Sequence, residues 1–148
     1  MNTGELGTNN INEEIQRVYN SKENEKEKYC VNTILTIHKD DKVIQTVNNY
    51  DPIIMVMNGS IGYVRNIITI EDDISHKLKD DEITIEFDEE NKLYEPKYLQ
   101  DIKLAYNITI HKSQGSEFPI VIIPIDFSQR IMLNKNLIYT GITRAKEK

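Results

Sequence analysis

Thr109-Ile110-His111-Lys112-Ser113-Gln114-Gly115-Ser116-Glu117-Phe118-Pro119, running into the apolar stretch Ile120 to Ile125, decides how this chain is read. Polar, charged and glycine residues are packed directly before a short β-branched run bracketed by Pro119 and Pro124, which is the pattern of a buried strand with chemistry at its leading edge. A second polar cluster, Tyr139-Thr140-Gly141-Ile142-Thr143-Arg144-Ala145-Lys146, closes the chain. It falls in a segment, Leu133 to Lys146, whose spacing predicts a helix with Leu137, Gly141 and Arg144 on one face and Ile138, Ile142 and Ala145 on another. A strand followed by a helix, each tipped with polar residues, predicts an α/β arrangement here.

Upstream the periodicities differ. Asn9 to Tyr19 sets Ile11, Ile15 and Val18 at helical spacing with Asn10 as a cap, which predicts one short amphipathic helix. Ser21 to Lys28 is a polar connector. From Val31 the chain changes to short β-branched runs: Val31 to Ile37, Lys42 to Val47, Ile53 to Met57, Ile61 to Ile70 and Glu82 to Phe87. Turn-formers separate them, namely Asp40-Asp41, Asn48-Asn49 and Asn58-Gly59, the last being the strongest local hairpin signal. Short strands at this spacing predict a small barrel. After Pro96, Lys97 to Ile102 reads as a helical turn, Lys103 to Tyr106 as an approach strand, and Thr109 to Gln114 as a tight strand-to-helix transition.

Composition sets the outer limits. The 148 residues suit one ordinary domain, or a small domain inserted in part of another, and the 39% apolar content is that of a water-soluble protein. No apolar run approaches the roughly 18 to 20 residues a membrane span requires. The start Met1-Asn2-Thr3-Gly4-Glu5 lacks the basic and apolar regions of a secretory signal, so the expected location is cytoplasmic with no membrane partner. A single Cys30 makes no internal disulfide and offers no thiolate pair for zinc, so no metal site is expected and Cys30 reads as a small apolar residue. The net charge is −6, but Glu71 to Glu90 alone carries −8, leaving +2 on the remainder. The acid is thus a local, solvated face that a nucleic acid would avoid.

The two polar clusters resemble the last two signature motifs of superfamily-one nucleic-acid helicases. Gly4 to Asn20, Asp41 to Asp51, Asn58-Gly59-Ser60-Ile61-Gly62 and Leu104-Ala105-Tyr106 extend the likeness. Together they resemble the C-terminal region of RecD-like ATP-dependent DNA helicases, of the exodeoxyribonuclease V alpha type, with a UvrD-like C-terminal helicase domain. The resemblance implies a partial parallel-sheet motor domain, the second RecA-like domain of a P-loop NTPase-like pair, interrupted by a small Src-homology-3-like β-barrel. On that basis residues 1–30 would be the start of the motor domain and a linker, 31–95 the barrel, and 96–148 the part of the motor that carries the motifs.

By the same resemblance Arg144 is the catalytic finger on the γ-phosphate, since an always charged, multi-donor guanidinium suits the charge spread of phosphoryl transfer. Gln114, Gly115 and Glu117 would line the nucleotide with it: Gly115 permits close backbone approach, and Glu117 accepts from a ribose hydroxyl. Thr109, His111, Lys112, Thr140 and Thr143 would face single-stranded DNA. None of the six glycines opens a G-x-x-x-x-G-K-[ST] phosphate loop, so ATP and Mg²⁺ are expected in a full-length enzyme and not on this chain by itself. Expected partners are single-stranded DNA, an N-terminal helicase motor domain, and nuclease or recombination subunits. The resemblance also implies 5′-to-3′ movement. Two other readings stay open: a stand-alone protein- or DNA-binding module with vestigial motifs, and a motor subunit inside an exonuclease complex. Tyr50, Tyr63 and Tyr139 serve equally well as base-stacking platforms or as packing residues.

Overall fold

A computed structural model describes residues 7–20, 27–68, 81–125 and 134–147. The first half of the acidic run, residues 71–80, therefore lies outside the described part, as does the start of the predicted C-terminal helix. The chain divides into two compact units, one formed by Asn12–Tyr106 and the other by Met1–Ile11 with Asn107–Lys148.

The larger unit is built on a five-stranded antiparallel sheet. Its strands are β3 (Lys42–Gln45), β4 (Ile61–Ile68), β5 (Glu82–Phe87), β6 (Glu90–Tyr94) and β7 (Ile102–Leu104), in the order β6-β5-β4-β3-β7. A separate antiparallel pair, β1 (Lys28–Cys30) with β2 (Thr36–His38), precedes them. Alternation accounts for β5: Ile83, Ile85 and Phe87 are buried, while Glu82, Thr84 and Glu86 point outward. In β4 the same alternation is broken by a bulge between Val64 and Asn66, which lets both Val64 and Ile67 reach the core. Gly62 is needed because a Cβ there would stand 2.5 Å from the carbonyl of Glu86 on the neighbouring strand. A 3-10 helix, Pro96–Asp101, drops Leu99 into the core and returns the chain along β3 as β7. Inside, the Tyr94 hydroxyl donates to Gln45 Oε1 at 2.9 Å, and Gln45 donates to the Val47 carbonyl, so the buried polar groups are paired.

Several expectations change. Of the predicted strand Val31 to Ile37 only Thr36 and Ile37 are strand, in β2, and the rest is the turn between β1 and β2, in which the Asn32 side chain accepts from the backbone of Ile34 and Leu35. Ile53 to Met57 is a turn plus one isolated bridge from Val56 to Asn49. Asn58-Gly59 does turn, with Gly59 at φ +93°, but it closes a long loop and not a two-residue hairpin. The tight hairpin is instead Asp88-Glu89, both at positive φ, joining β5 to β6. Cys30 is free and exposed. Lys103 belongs to an edge strand of the antiparallel sheet, so the unit reaches beyond 31–95 at both ends.

Helix α1 (Thr8–Tyr19) forms, yet its buried side chains are Asn12 and Gln16, and Val18 is 72% exposed. Gly7 accepts the first helical hydrogen bond, from the Ile11 amide, so Asn10 sits inside the helix and is not its cap. The polar face docks because hydrogen-bond acceptors wait for it: the Leu104 carbonyl takes Asn12 Nδ2, and the Thr36 carbonyl and Asp41 carboxylate take Gln16 Nε2.

In the second unit the parallel sheet is not found among the described residues. Ile120 to Ile125 forms no strand, and Ile120 and Ile122 are 73% and 87% exposed. A strand needs a neighbouring backbone to bond, and among the described residues the parallel pairing here is the isolated bridge from Phe118 to Ala145. Helix α2 (Lys135–Ile142) is shorter than the predicted Leu133 to Lys146, because Thr143 ends it. Its start is capped by the Asn134 side chain, which accepts from the Leu137 amide at 2.8 Å.

Candidate nucleotide and strand-contact site

Within the second unit, Thr109 to Ser116 is a run of tight turns and not a strand. The Thr109 carbonyl accepts from the amides of Lys112 and Ser113, and Ser113, which is buried, donates its hydroxyl to the Ile110 carbonyl at 2.7 Å. These bonds fold the segment on itself and leave His111 and Gln114 exposed, with Lys112 half-buried. Gly115 follows at φ +86° with open space where a Cβ would point. That conformation is one L residues rarely adopt, and it turns the chain so that Ser116 to Pro119 can run beside Arg144 to Glu147.

There the two polar clusters are joined by backbone. The Phe118 amide donates to the Arg144 carbonyl at 2.9 Å, the Lys146 amide to the Phe118 carbonyl at 2.8 Å, and the Glu147 amide to the Pro119 carbonyl at 3.2 Å. Glu117 and Arg144 are thereby held on adjacent stretches. Glu117 makes an ion pair with Lys146 at 3.5 Å, both side chains largely exposed. Such a pair contributes only about 0 to 1 kcal/mol, so the carboxylate is readily released to another donor. Arg144 is half-buried; its Nη1 reaches the Ser116 carbonyl at 3.5 Å, while its Nε is buried with no hydrogen-bond partner among the described residues. An unsatisfied buried donor costs about 1 to 3 kcal/mol, more for a charged group.

Gly141 lets α2 approach this segment. It is buried, and a Cβ on it would lie 2.8 Å from Ile123 Cδ1 and 3.2 Å from Ile110 Cδ1. Thr140 and Thr143 sit on the same helix end, where their hydroxyls donate to the carbonyls of Asn136 and Thr140. Neither hydroxyl proton is therefore directed at a phosphate in this state. Thr109 Oγ1 accepts from the Lys112 amide at 3.4 Å. Tyr50, Tyr63 and Tyr139 are all exposed, with the Arg65 guanidinium over the Tyr63 ring at 5.4 Å and Asn48 donating to the Tyr50 hydroxyl. Sequence reasoning missed Ser113, Lys146 and the packing role of Gly141, because each acts through a contact the linear order does not display.

Comparison with known proteins fits this geometry. The model of the ATP-dependent RecD-like DNA helicase SH3 domain matches residues 11–87, more than half the chain.

The chain belongs to the RecD-like helicases.

The UvrD-like helicase C-terminal domain matches residues 104–148, the part that holds both polar clusters, so the chain is a RecD-like helicase C-terminal region. The ATP-dependent RecD2 DNA helicase of Deinococcus radiodurans is 29% identical over 153 residues, covering 100% of this chain and 18% of that protein. The RecBCD enzyme subunit RecD of Buchnera aphidicola (subsp. Acyrthosiphon pisum) is 37% identical over 111 residues, covering 72% of this chain and 16% of its own length. That of Haemophilus influenzae is 44% identical over 43 residues, covering 29% of this chain and 7% of its own length. The chain thus spans under a fifth of the relatives it matches. Among the described residues, no helix is long and apolar enough to cross a membrane.

Proposed function

We propose that this chain supplies one wall of a nucleotide cleft and part of a single-strand track in an ATP-dependent DNA helicase, the opposite wall being a motor domain that carries a phosphate loop. The observation that carries the reading is the backbone pairing of Phe118 with the Arg144 segment, which sets Glu117 beside an arginine whose Nε has no partner among the described residues. The residues fit such a group: Arg144 offers a guanidinium whose Nη1 is held only by a 3.5 Å contact, Glu117 an easily released acceptor for a ribose hydroxyl, and Gly115 an unobstructed backbone edge next to Gln114. Bound there with Mg²⁺, ATP supplies the phosphoanhydride whose cleavage powers movement. Arg144 stabilises the charge that develops on the transferred phosphoryl oxygens, and it does so from a partly desolvated position where its charge is less screened.

Thr109, His111 and Lys112 lie on the same folded turn as Gln114 and Gly115, so contact with a strand at one end bears on the nucleotide edge at the other. Thr140 and Thr143 join the strand contacts once their hydroxyls leave the helix carbonyls. The sheet unit, centred on residues 31–95, acts as the inserted barrel and the motif-bearing remainder of 96–148 as motor, movement runs 5′ to 3′, and the 148-residue chain alone hydrolyses no ATP. Relatives named as RecD subunits of the RecBCD enzyme favour a second reading, in which the motor works beside nuclease subunits; co-purification with nuclease chains distinguishes it.

The test is Arg144→Ala in the intact helicase. Turnover is expected to fall by about 10³ or more, with single-strand binding retained. Normal turnover rejects the assignment.

A further inference from the structure

The chain passes between its two units twice, at Ile11/Asn12 and at Tyr106/Asn107. Inside the larger unit, the segments that follow the first crossing and precede the second both end on one group, the carboxylate of Asp41. Asp41 is fully buried. Its Oδ2 accepts from Gln16 Nε2 of α1 and, at 2.7 Å, from the His38 amide; its Oδ1 accepts from Asn20 Nδ2 at 2.7 Å and from the Tyr106 hydroxyl at 2.8 Å. Asn12 adds a direct tie between the two segments, donating to the Leu104 carbonyl at 3.1 Å. Gln16 and Asn20 are further held by the carbonyls of Thr36 and Lys39.

We infer that Asp41 is a joint: it locks the incoming helix and the outgoing strand to the sheet as one piece, so that displacement of the Thr109 to Phe118 segment is carried through Tyr106 to α1. A carboxylate suits this role because its two oxygens take four donors at fixed angles, whereas an apolar contact would let the segments slide. Tyr106 stands three residues before Thr109 in the chain, and its hydroxyl is anchored on Asp41. The inference rests on the helicase reading for its mechanical consequence, and on the geometry alone for the coupling. Asp41, Gln16, Asn20 and Tyr106 are positioning residues that touch neither strand nor nucleotide.

Asp41→Ala risks unfolding the unit, so the test uses Tyr106→Phe and Asn20→Ala, singly and together. In this chain, Tyr106→Phe should raise hydrogen exchange in the α1 amides from Asn12 to Asn20 at least fivefold while β4 and β5 amides stay unchanged. The double variant should show no more than the larger single effect, because both residues act on one carboxylate. In the intact helicase, ATP consumed per base pair unwound should at least double in each single variant, with strand-stimulated hydrolysis within twofold of the parent. Unchanged α1 exchange in Tyr106→Phe, or single effects that simply multiply, overturns the joint. Altered exchange with an unchanged ATP-to-unwinding ratio overturns its mechanical role. A parent that hydrolyses ATP without unwinding rejects the helicase reading itself and leaves the exchange result to judge the joint.

Discussion

Gly141→Ala sets two effects of similar size against each other. Replacing a helix-interior glycine by alanine favours the helix by about 1 kcal/mol. The new methyl would meet Ile123 Cδ1 at 2.8 Å and Ile110 Cδ1 at 3.2 Å. Both neighbours are the free ends of isoleucine side chains, and Ile123 is only half-buried, so it can rotate aside at about 0.5 to 1.5 kcal/mol. The effects nearly cancel, and the net change should lie within about 0.5 kcal/mol of zero. Gly141→Leu has no such escape. Its longer chain must displace Ile110 itself, at the usual overpacking cost of about 1 to 3 kcal/mol, and Ile110 is locked by the Ser113 hydroxyl on its carbonyl. Native-state hydrogen exchange of the α2 amides measures the difference directly. Alanine should leave exchange within about threefold of the parent and leucine should raise it about tenfold, the ratio that 1.4 kcal/mol produces. Leucine that is tolerated, or alanine that costs more than about 2 kcal/mol, would refute the packing argument in opposite directions.

Gly62→Ala should destabilise the sheet unit by about 1 to 3 kcal/mol, because the offending neighbours are the Glu86 carbonyl and the Phe87 ring, which a paired strand cannot move; a urea midpoint equal to the parent's would contradict this. Glu89→Gly should stabilise by about 0.5 to 1 kcal/mol, since Glu89 sits at φ +67° in a two-residue turn that favours glycine there; the melting temperature decides. Burial holds the hydroxyls of Tyr94 and Tyr106 protonated well above the ordinary phenol range, with Asp101 and Asp41 respectively adding to it. A folded pKa raised above the unfolded one gives stability that is whole below about pH 10 and declines as pH rises beyond it. Stability should therefore fall less steeply above about pH 10 in Tyr106→Phe than in the parent, each relative to its own neutral-pH value, as seen in circular dichroism against pH; an equally steep alkaline loss would argue that the hydroxyl is not shielded.

Legibility in the sequence followed the physical signal each element carries. β4 and β5 were readable because their β-branched residues cluster or alternate, and the polar clusters because chemistry-bearing residue types at close spacing are rare outside sites. β6 was not, since Glu90–Tyr94 buries only Tyr94 and its turn, Asp88-Glu89, contains no glycine or asparagine to announce positive φ. The face of α1 was misassigned for a related reason. Apolar periodicity points to Ile11, Ile15 and Val18, but the helix docks on Asn12 and Gln16, whose partners lie on other elements. Asp41 read as a turn residue for want of any local sign that four donors converge on it. The pairing of Phe118 with Ala145 is likewise long-range, and the strand character of Ile120 to Ile125 was overestimated because composition reports preference for a sheet and not the presence of a neighbour.

The strengths of the contacts within the site divide in a way that bears on how it would respond to ligands. At the backbone, three hydrogen bonds between 2.8 and 3.2 Å tie Phe118–Pro119 to Arg144–Glu147. At the side chains, the Glu117 to Lys146 pair and the Arg144 to Ser116 contact both stand at 3.5 Å, near the limit for useful attraction. Displacing either side-chain contact therefore costs little, whereas separating the two segments costs several ordinary hydrogen bonds of about 0.5 to 1.5 kcal/mol each. A ligand that takes Glu117 or the guanidinium leaves the frame intact, and a shift of the Gly115 turn carries Arg144 with it as a rigid neighbour. Loose side chains on a firm backbone pairing are what a site needs if it is to exchange ligands repeatedly while still passing displacement from the Thr109 to Ser116 turn to its arginine.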